Sequence, residues 1–256
     1  MTIDVWKDIY EAKTKDRKGI AVLIDPDAFR TRETGILMQE ALDAGVDYFF
    51  VGGSLMTTTH LSTCIQFLKQ QSKIPVVLFP GGVSQIDSQA DAFLLLSLIS
   101  GRNPDLLIGK HVEAAPLLRA SGLQIIPTGY MIIDGGKPTT ASYISNSAPI
   151  PADKPEIAAM TALAGEMLGF KTIYLDAGSG ASRPVSSEMI QAVRRTVQTP
   201  IIVGGGIRTP QGAASAARAG ADITVIGNVL ESGSGKLHSF VEAVHSSSSQ
   251  SSLSPS

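Results

Sequence analysis

The stretch TPIIVGGGIRTPQGAASAARAGADITVIGN, residues 199–228, decides the fold. It opens on an apolar run, Ile201 to Val203, breaks into three glycines, 204 to 206, and continues through a small-residue segment from Gln211 to Ala219. Gly220 stops that segment, and a second apolar run, Ile223 to Ile226, follows. A short, continuously apolar, β-rich run is the signature of a parallel strand covered on both faces, and a helix between two such runs makes a βαβ unit.

The same rhythm extends back through the chain. Further runs stand at Ile20 to Ile24, Tyr48 to Val51, Val76 to Phe79, Leu106 to Ile108, Gln124 to Ile126 and Thr172 to Leu175, which makes eight. Helical patterns separate them at Glu33 to Ala44, His60 to Gln71, Asp87 to Ser97, Glu113 to Ala120, Glu156 to Leu168 and Ser187 to Val197. A last one follows the eighth run at Lys236 to His245. Small-residue stops such as Ala44-Gly45, Ser121-Gly122 and Ala219-Gly220 suit left-handed helix ends. All but one of the gaps between runs fit one βα unit, and the long one holds an insertion from about Asp134 to Lys154. Eight units in about 230 residues predict a single (β/α)8 TIM barrel. The alternative, a doubly wound open sheet, lacks a GxGxxG fingerprint after the first strand. The apolar run Phe93 to Leu96 inside the third helical segment predicts an irregular barrel on that side. We place the barrel domain at 1–245 and read 246–256, nearly all serine, as a disordered tail.

Composition excludes a disordered or fibrous chain. The chain has 256 residues, 43% of them hydrophobic, enough for a large core. Only 17% are charged and the net charge is −2, so there is no footprint for nucleic acid. One cysteine, Cys64, excludes an internal disulfide and a Cys-rich zinc site, and a cytoplasmic setting is the expectation. No pair among the four histidines, His60, His111, His238 and His245, has metal-ligand spacing.

Glycine is over-represented, 25 residues, and it is concentrated after the late strands. Gly204-Gly205-Gly206 follows the seventh run and Gly227-Asn228 the eighth. In barrels these two loops form an anion site, because unpaired backbone amides favour a phosphate and glycine lets the backbone come close. Ala177-Gly178-Ser179-Gly180 follows the sixth run and borders the same rim. The alternative is a set of tight turns. Across the mouth, the first run ends in Asp25-Pro26-Asp27 and the second in Gly52-Gly53-Ser54. One carboxylate and one hydroxyl are too few to cage a metal alone, which is how Mg²⁺ is held when phosphates complete its shell. The alternative for Asp25 is a turn-stabilising cap, a role expected more of Asp27. Asp176, at the end of the sixth run, is placed to orient or deprotonate a hydroxyl. Lys110 is a candidate diphosphate contact, but an ordinary solvated lysine is the preferred reading.

Seven motifs then converge. IDPD at 24–27, VGGS at 51–54, PTGYMI at 127–132, APIP at 148–151, YLDAGSGA at 174–181, VGGGIR at 203–208 and IGN at 226–228 occur in one order along residues 4–240. In this the chain resembles the geranylgeranylglyceryl phosphate synthase family. The resemblance implies an Mg²⁺-dependent prenyltransferase that joins sn-glycerol 1-phosphate to geranylgeranyl diphosphate through an ether bond and releases diphosphate. Carried over by position, it implies Asp25 and Ser54 as Mg²⁺ ligands. It likewise implies glycerol phosphate contacts at Tyr174, Leu175, Asp176, Ala177, Gly178, Ser179, Gly180, Gly205, Gly206, Gly227 and Asn228, and a homo-oligomer, dimer or hexamer. Two departures stand out. Asp176 occupies a position where the family more usually has glutamate, a carboxylate arm one methylene shorter, and Ala28 stands where a lysine usually follows IDPD. A prenyl tail needs an apolar groove, for which the leucine-rich third helix with Tyr130, Met131, Ile132 and Ile133 supplies candidates. Contact with a membrane surface is compatible with such a substrate. The other readings are a phosphate-binding barrel isomerase or synthase of histidine, tryptophan or thiamine biosynthesis, and a non-catalytic phosphate-binding scaffold.

Overall fold

Seven of the eight apolar runs form strands where expected. In the computed structural model, which describes residues 3–227 and 236–248, the strands are β1 (Gly19–Ile24), β2 (Tyr48–Val51), β3 (Val76–Leu78), β4 (Ala92–Leu98), β5 (Gln124–Ile132), β6 (Thr172–Asp176), β7 (Ile201–Gly204) and β8 (Ile223–Ile226). They close in sequence order, all parallel, with β1 paired to both β2 and β8. The open-sheet alternative is therefore excluded. The helices are α1 (Val5–Thr14), α2 (Thr31–Ala44), α3 (Leu61–Gln71), α4 (Lys110–Ser121), α5 (Thr140–Ile144), α6 (Pro155–Met167), α7 (Ser187–Thr196), α8 (Pro210–Ala219) and α9 (Leu237–His245). Among the described residues no helix is long and apolar enough to cross a membrane.

Two segments differ from the sequence expectation. Leu106 to Ile108 is no strand; it lies in a π-helical turn, Asp105–Gly109, that runs into α4. Asn103-Pro104-Asp105 starts it, with the Asn103 side chain accepting from the Asp105 N–H at 3.1 Å. The segment expected as a third helix, Asp87 to Ser97, supplies β4 instead, held to β5 from Ala92↔Gln124 to Leu98↔Tyr130. Between β3 and β4 there is only a 3-10 turn, Val83–Gln85, so the expected irregularity is real and consists of a missing crossover helix.

Alternation along each strand sorts the core into two layers. Ala21, Phe50, Val77, Leu94, Ile126, Tyr174, Ile202 and Val225 fill the barrel interior. Val22, Val51, Leu78, Phe93, Met131, Leu175 and Val203 face the helices, together with Cys64, whose thiol burial pushes up to about 12. The insertion is ordered: Ile133 bridges to Ile150, and a Thr139/Ser142 capping box starts α5. Of the serine-rich tail, Ser246 to Ser248 are described, with the Ser248 hydroxyl accepting from the Lys18 N–H at 3.1 Å, and 249–256 lie outside the described residues.

At the N-terminal ends of the strands one device recurs. The aspartate just before an even strand accepts the first free N–H of the preceding odd one: Asp47 from Ile20, Asp91 from Val76 and Asp222 from Ile201, each at 2.8 Å. Each carboxylate also meets a basic side chain. Lys69 binds Asp91 at 2.6 Å, Arg194 binds Asp222 at 3.0 Å, and His245 Nε2 meets Asp47 at 2.9 Å.

The His245 contact ties α9 to the barrel floor. Hydrogen bonding to Asp47 raises the imidazole pKa above its usual value of about 6.5. A raised folded-state pKa gives stability that is complete below about pH 6.5 and is lost as pH rises through the raised value. The unfolding temperature of the native chain should therefore fall from about pH 6 to about pH 9, and His245→Gln should flatten that slope. Identical slopes in the two proteins would remove the latch from the stability of the fold.

Candidate active site

The site grows from the last residues of β6. Alternation turns Tyr174 and Asp176 to the barrel interior, whereas Leu175 packs its side chain on the helices. Asp176 is 6% exposed, a cost for a carboxylate unless it is hydrogen-bonded. Its Oδ2 accepts from the Tyr130 hydroxyl at 2.6 Å and its Oδ1 from the Gly178 N–H at 2.7 Å. Burial pushes its pKa up, and the two hydrogen bonds oppose that rise. Burial with the neighbouring carboxylate raises the Tyr130 and Tyr174 hydroxyls as well.

The strand register pairs Asp176 with Gly204, so the β7 glycines lie beside the carboxylate. Gly205 has φ +80°, and a Cβ there would sit 2.5 Å from the Gly178 nitrogen and 2.6 Å from Asp176 Oδ1. Only glycine fits. The β6 and β7 loops thus meet backbone to backbone, with Gly206 against Arg183 and Gly178 under Thr139. Ser179 is exposed on this rim, Ala177 is buried with its N–H given to the Gly204 carbonyl, and Gly227 follows β8 beside Leu23. Asn228 lies outside the described residues. The structure also brings in residues the sequence reading missed. Lys137 Nζ lies 3.9 Å from a Cβ built at Gly180, and Arg208 donates to the Ala181 carbonyl at 2.8 Å. The insertion that carries Lys137 and Thr139 folds onto the glycine loops, and nothing in its own pattern signals that.

Asp25 and Ser54 lie on adjacent loops across the mouth. Asp25 is exposed just past β1, makes no salt bridge among the described residues, and accepts the Asp27 N–H at 2.9 Å. It is therefore the cap that had been expected of Asp27. Asp27 instead staples the two loops together. Its Oδ2 accepts from the N–H and hydroxyl of Thr57 at 2.6 and 2.7 Å, and its Oδ1 from those of Thr58 at 3.0 and 2.7 Å. These bonds hold its carboxyl well below the usual range. Ser54 is half-buried, and a Cβ on Gly53 would lie 3.9 Å from Asp25 Oδ1. Among the described residues no three His, Cys, Asp or Glu side chains cluster as a cage. The available donors here are hard oxygens, few in number, and they fit Mg²⁺ completed by phosphate oxygens better than a protein-enclosed ion.

An apolar groove leaves the mouth between these two halves. It holds about 900 Å³ of empty space, part of it open to solvent, and runs from Gly53, Ser54 and Pro80 over β4 to α4. Phe93, Leu95, Leu96 and Leu98 line it, with Tyr130 and Ile132. Met131 and Ile133 do not, because alternation turns them into the helix-facing core. Lys110 and His111 enter from α4. Lys110 pairs with Glu113 at 2.9 Å, and His111 Nε2 meets the Ser97 hydroxyl at 2.9 Å. At the inner end, the rings of Phe79, Tyr130 and Tyr174 pack with centroids 5.0 to 5.9 Å apart. The ring of Tyr130 thus borders the groove, and its hydroxyl holds Asp176.

Several known proteins similar in sequence or shape are named geranylgeranylglyceryl phosphate synthase. A protein of Chitinophaga pinensis named geranylgeranylglyceryl phosphate synthase is 52% identical over 241 residues, covering 94% of this chain and 96% of its own length. One of the same name from Spirosoma linguale is 57% identical over 219 residues, with coverage of 86% and 88%. The crystal structure of (S)-3-O-geranylgeranylglyceryl phosphate synthase from Thermoplasma acidophilum, in complex with sn-glycerol-1-phosphate, superposes with a TM-score of 0.89 at 33% identity. The match covers 95% of this chain and 99% of that one. The profile of the PcrB family matches residues 12–244, and with that match this chain belongs to the PcrB family.

Proposed function

We propose that the protein is a geranylgeranylglyceryl phosphate synthase, transferring a geranylgeranyl group from its diphosphate to the 3-hydroxyl of sn-glycerol 1-phosphate. The observation that carries this reading is the junction at Tyr130, where an apolar groove ends on a buried carboxylate framed by glycine loops. A sugar-phosphate isomerase or synthase would use the glycine rim but leave the groove without a purpose. A bare scaffold would need neither the groove nor the buried acid.

Glycerol 1-phosphate sits with its phosphate in the glycine rim, contacting Ser179, Gly180, Gly205, Gly206 and Gly227, with Asn228 carried over by position. The Ala177 and Gly178 amides are spent on Gly204 and Asp176 and shape the loop rather than bind, and Lys137 adds charge at the Gly180 edge. Leu175 takes part through its backbone alone. Tyr174 and Asp176 face the glycerol. The glycerol oxygen forms a bond to prenyl C1 as the bond from C1 to the diphosphate oxygen breaks, and the diphosphate leaves with the electron pair. Asp176 orients the hydroxyl and takes its proton; the raised pKa suits a base. Asp25 and Ser54 would hold Mg²⁺, which when bound neutralises charge on the diphosphate. A homo-oligomer belongs to the same reading, because α6 presents Ile157, Met160 and Met167 to solvent along one stripe that its C-cap residue Leu168 extends.

Incubated with Mg²⁺, glycerol 1-phosphate and radiolabelled prenyl diphosphates of several lengths, the protein should yield an organic-extractable ether. Asp176→Asn should lower turnover by roughly 10²-fold or more. Absence of product at every chain length would refute the assignment. Tyr130→Phe removes a donor that favours the charged carboxylate, so the acid limb of the pH–rate profile should move to higher pH. An unmoved limb would separate Tyr130 from the ionisation of Asp176. Met167→Glu combined with Leu168→Glu should shift sedimentation towards monomer, and an unchanged assembly would place the contact elsewhere.

A further inference from the structure

Gln85 takes no part in the chemistry described so far, yet it is 2% exposed in the 3-10 turn that replaces a crossover helix. Its side-chain amide faces the backbone of Gly53, 32 residues away. Nε2 donates to the Gly53 carbonyl at 2.8 Å, and Oε1 accepts the Gly53 N–H at 3.4 Å. Only this orientation of the amide satisfies both groups, so donor and acceptor are fixed by geometry. The side chain thereby imitates one rung of a β-ladder for a residue that has left its strand.

Two glycines show how close the apposition is. Gly52 has φ +144°, and a Cβ there would collide with the Phe79 carbonyl and reach Gln85 Oε1 at 3.0 Å. A Cβ on Gly81 would collide with the Gly53 carbonyl and lie 2.6 Å from that of Ser54. The β3 loop is therefore pressed backbone to backbone on Gly52-Gly53-Ser54, and among the described residues Gln85 is the side chain that bonds across. On its other side Gly53 adjoins Asp25, and Gly53 and Ser54 form the groove wall with Pro80 and Gly81.

We propose that Gln85 is the positioning residue for the Ser54 loop. It sets the place of Ser54 relative to Asp25 and to the groove, and so the grip on the metal-bound diphosphate end of the prenyl substrate. This rests on the reading of Asp25 and Ser54 given above. Gln85 touches no substrate and lies apart from the glycine rim, so its loss should act on one substrate only.

Gln85→Leu keeps the bulk and removes both bonds, and Gln85→Glu keeps the acceptor but loses the donor to Gly53. In either variant, Mg²⁺-dependent binding of a non-hydrolysable prenyl thiodiphosphate, read by calorimetry, should weaken roughly tenfold, with glycerol 1-phosphate binding changed by less than about twofold. Without any ligand, amide hydrogen exchange at Gly52 to Ser54 should accelerate in Gln85→Leu, while residues 174–180 exchange as before. Equal weakening of both ligands, or unchanged exchange at 52–54, overturns the proposal. Asp25→Ala separates the two ways of failing. If it abolishes analogue binding and the Gln85 variants do not weaken it, the clamp alone is wrong; if it leaves binding intact, the diphosphate lies elsewhere and both ideas fall.

Discussion

A buried carboxylate at the end of β6 constrains the whole upper face of the barrel. Asp176 has little water to solvate it, so its oxygens must find donors in the protein. One comes from the next loop, the Gly178 N–H, and one from a neighbouring strand, the Tyr130 hydroxyl. The first demand bends the chain after Ala177 through a left-handed glycine and brings the β7 loop so near that Gly205 can carry no side chain. The second places a phenol where the apolar groove begins. Phosphate rim, acid and groove are consequently one construction, with Tyr130 shared among its parts.

The opposite end of the barrel uses the same residue type for a different purpose. Asp47, Asp91 and Asp222 each accept a strand N–H and meet a basic side chain, and none of them borders the apolar groove at the mouth. Asp222 is as buried as Asp176 and its pKa is likewise raised by burial, yet Arg194 and Lys18 face it. Asp176 has neutral partners only. A raised pKa by itself does not tell a structural acid from a reactive one; the partner's charge and the adjoining cavity do.

Much of this was legible in the residues. Continuous apolar runs separated by helical patterns require two-sided burial, and seven of the eight runs are strands of the closed barrel, so the architecture followed from periodicity although the fourth strand was assigned to the wrong run. The glycine rim followed from the places where a Cβ is excluded. The link between Tyr130 and Asp176 did not, because it spans 46 residues and depends on the register Ile132↔Asp176, which no local pattern encodes. Gln85 was invisible for the same reason. The cap fell to Asp25 rather than Asp27 because either fits an Asx turn, and the choice was made by Thr57 and Thr58 on another loop, which engage Asp27.

The misplaced fourth strand has the same origin as the groove. Ala92 to Leu98 is leucine-rich rather than β-branched, and a short apolar run of that kind suits a buried helix as well as a strand. What settles it is the absence of a crossover helix: the chain goes from β3 to β4 through one 3-10 turn, so the outer face of β4 has no helix of its own. Phe93 and Leu95 would have packed under such a helix. Between that turn and α4 the half-buried Leu95 and the buried Phe93 beneath it line the space into which we place the prenyl chain. A regular barrel would have been easier to read from its sequence and would have covered this face with a helix. The 3-10 turn that replaces it carries Gln85, so one departure from the repeat both uncovers the groove and holds the loop at its mouth.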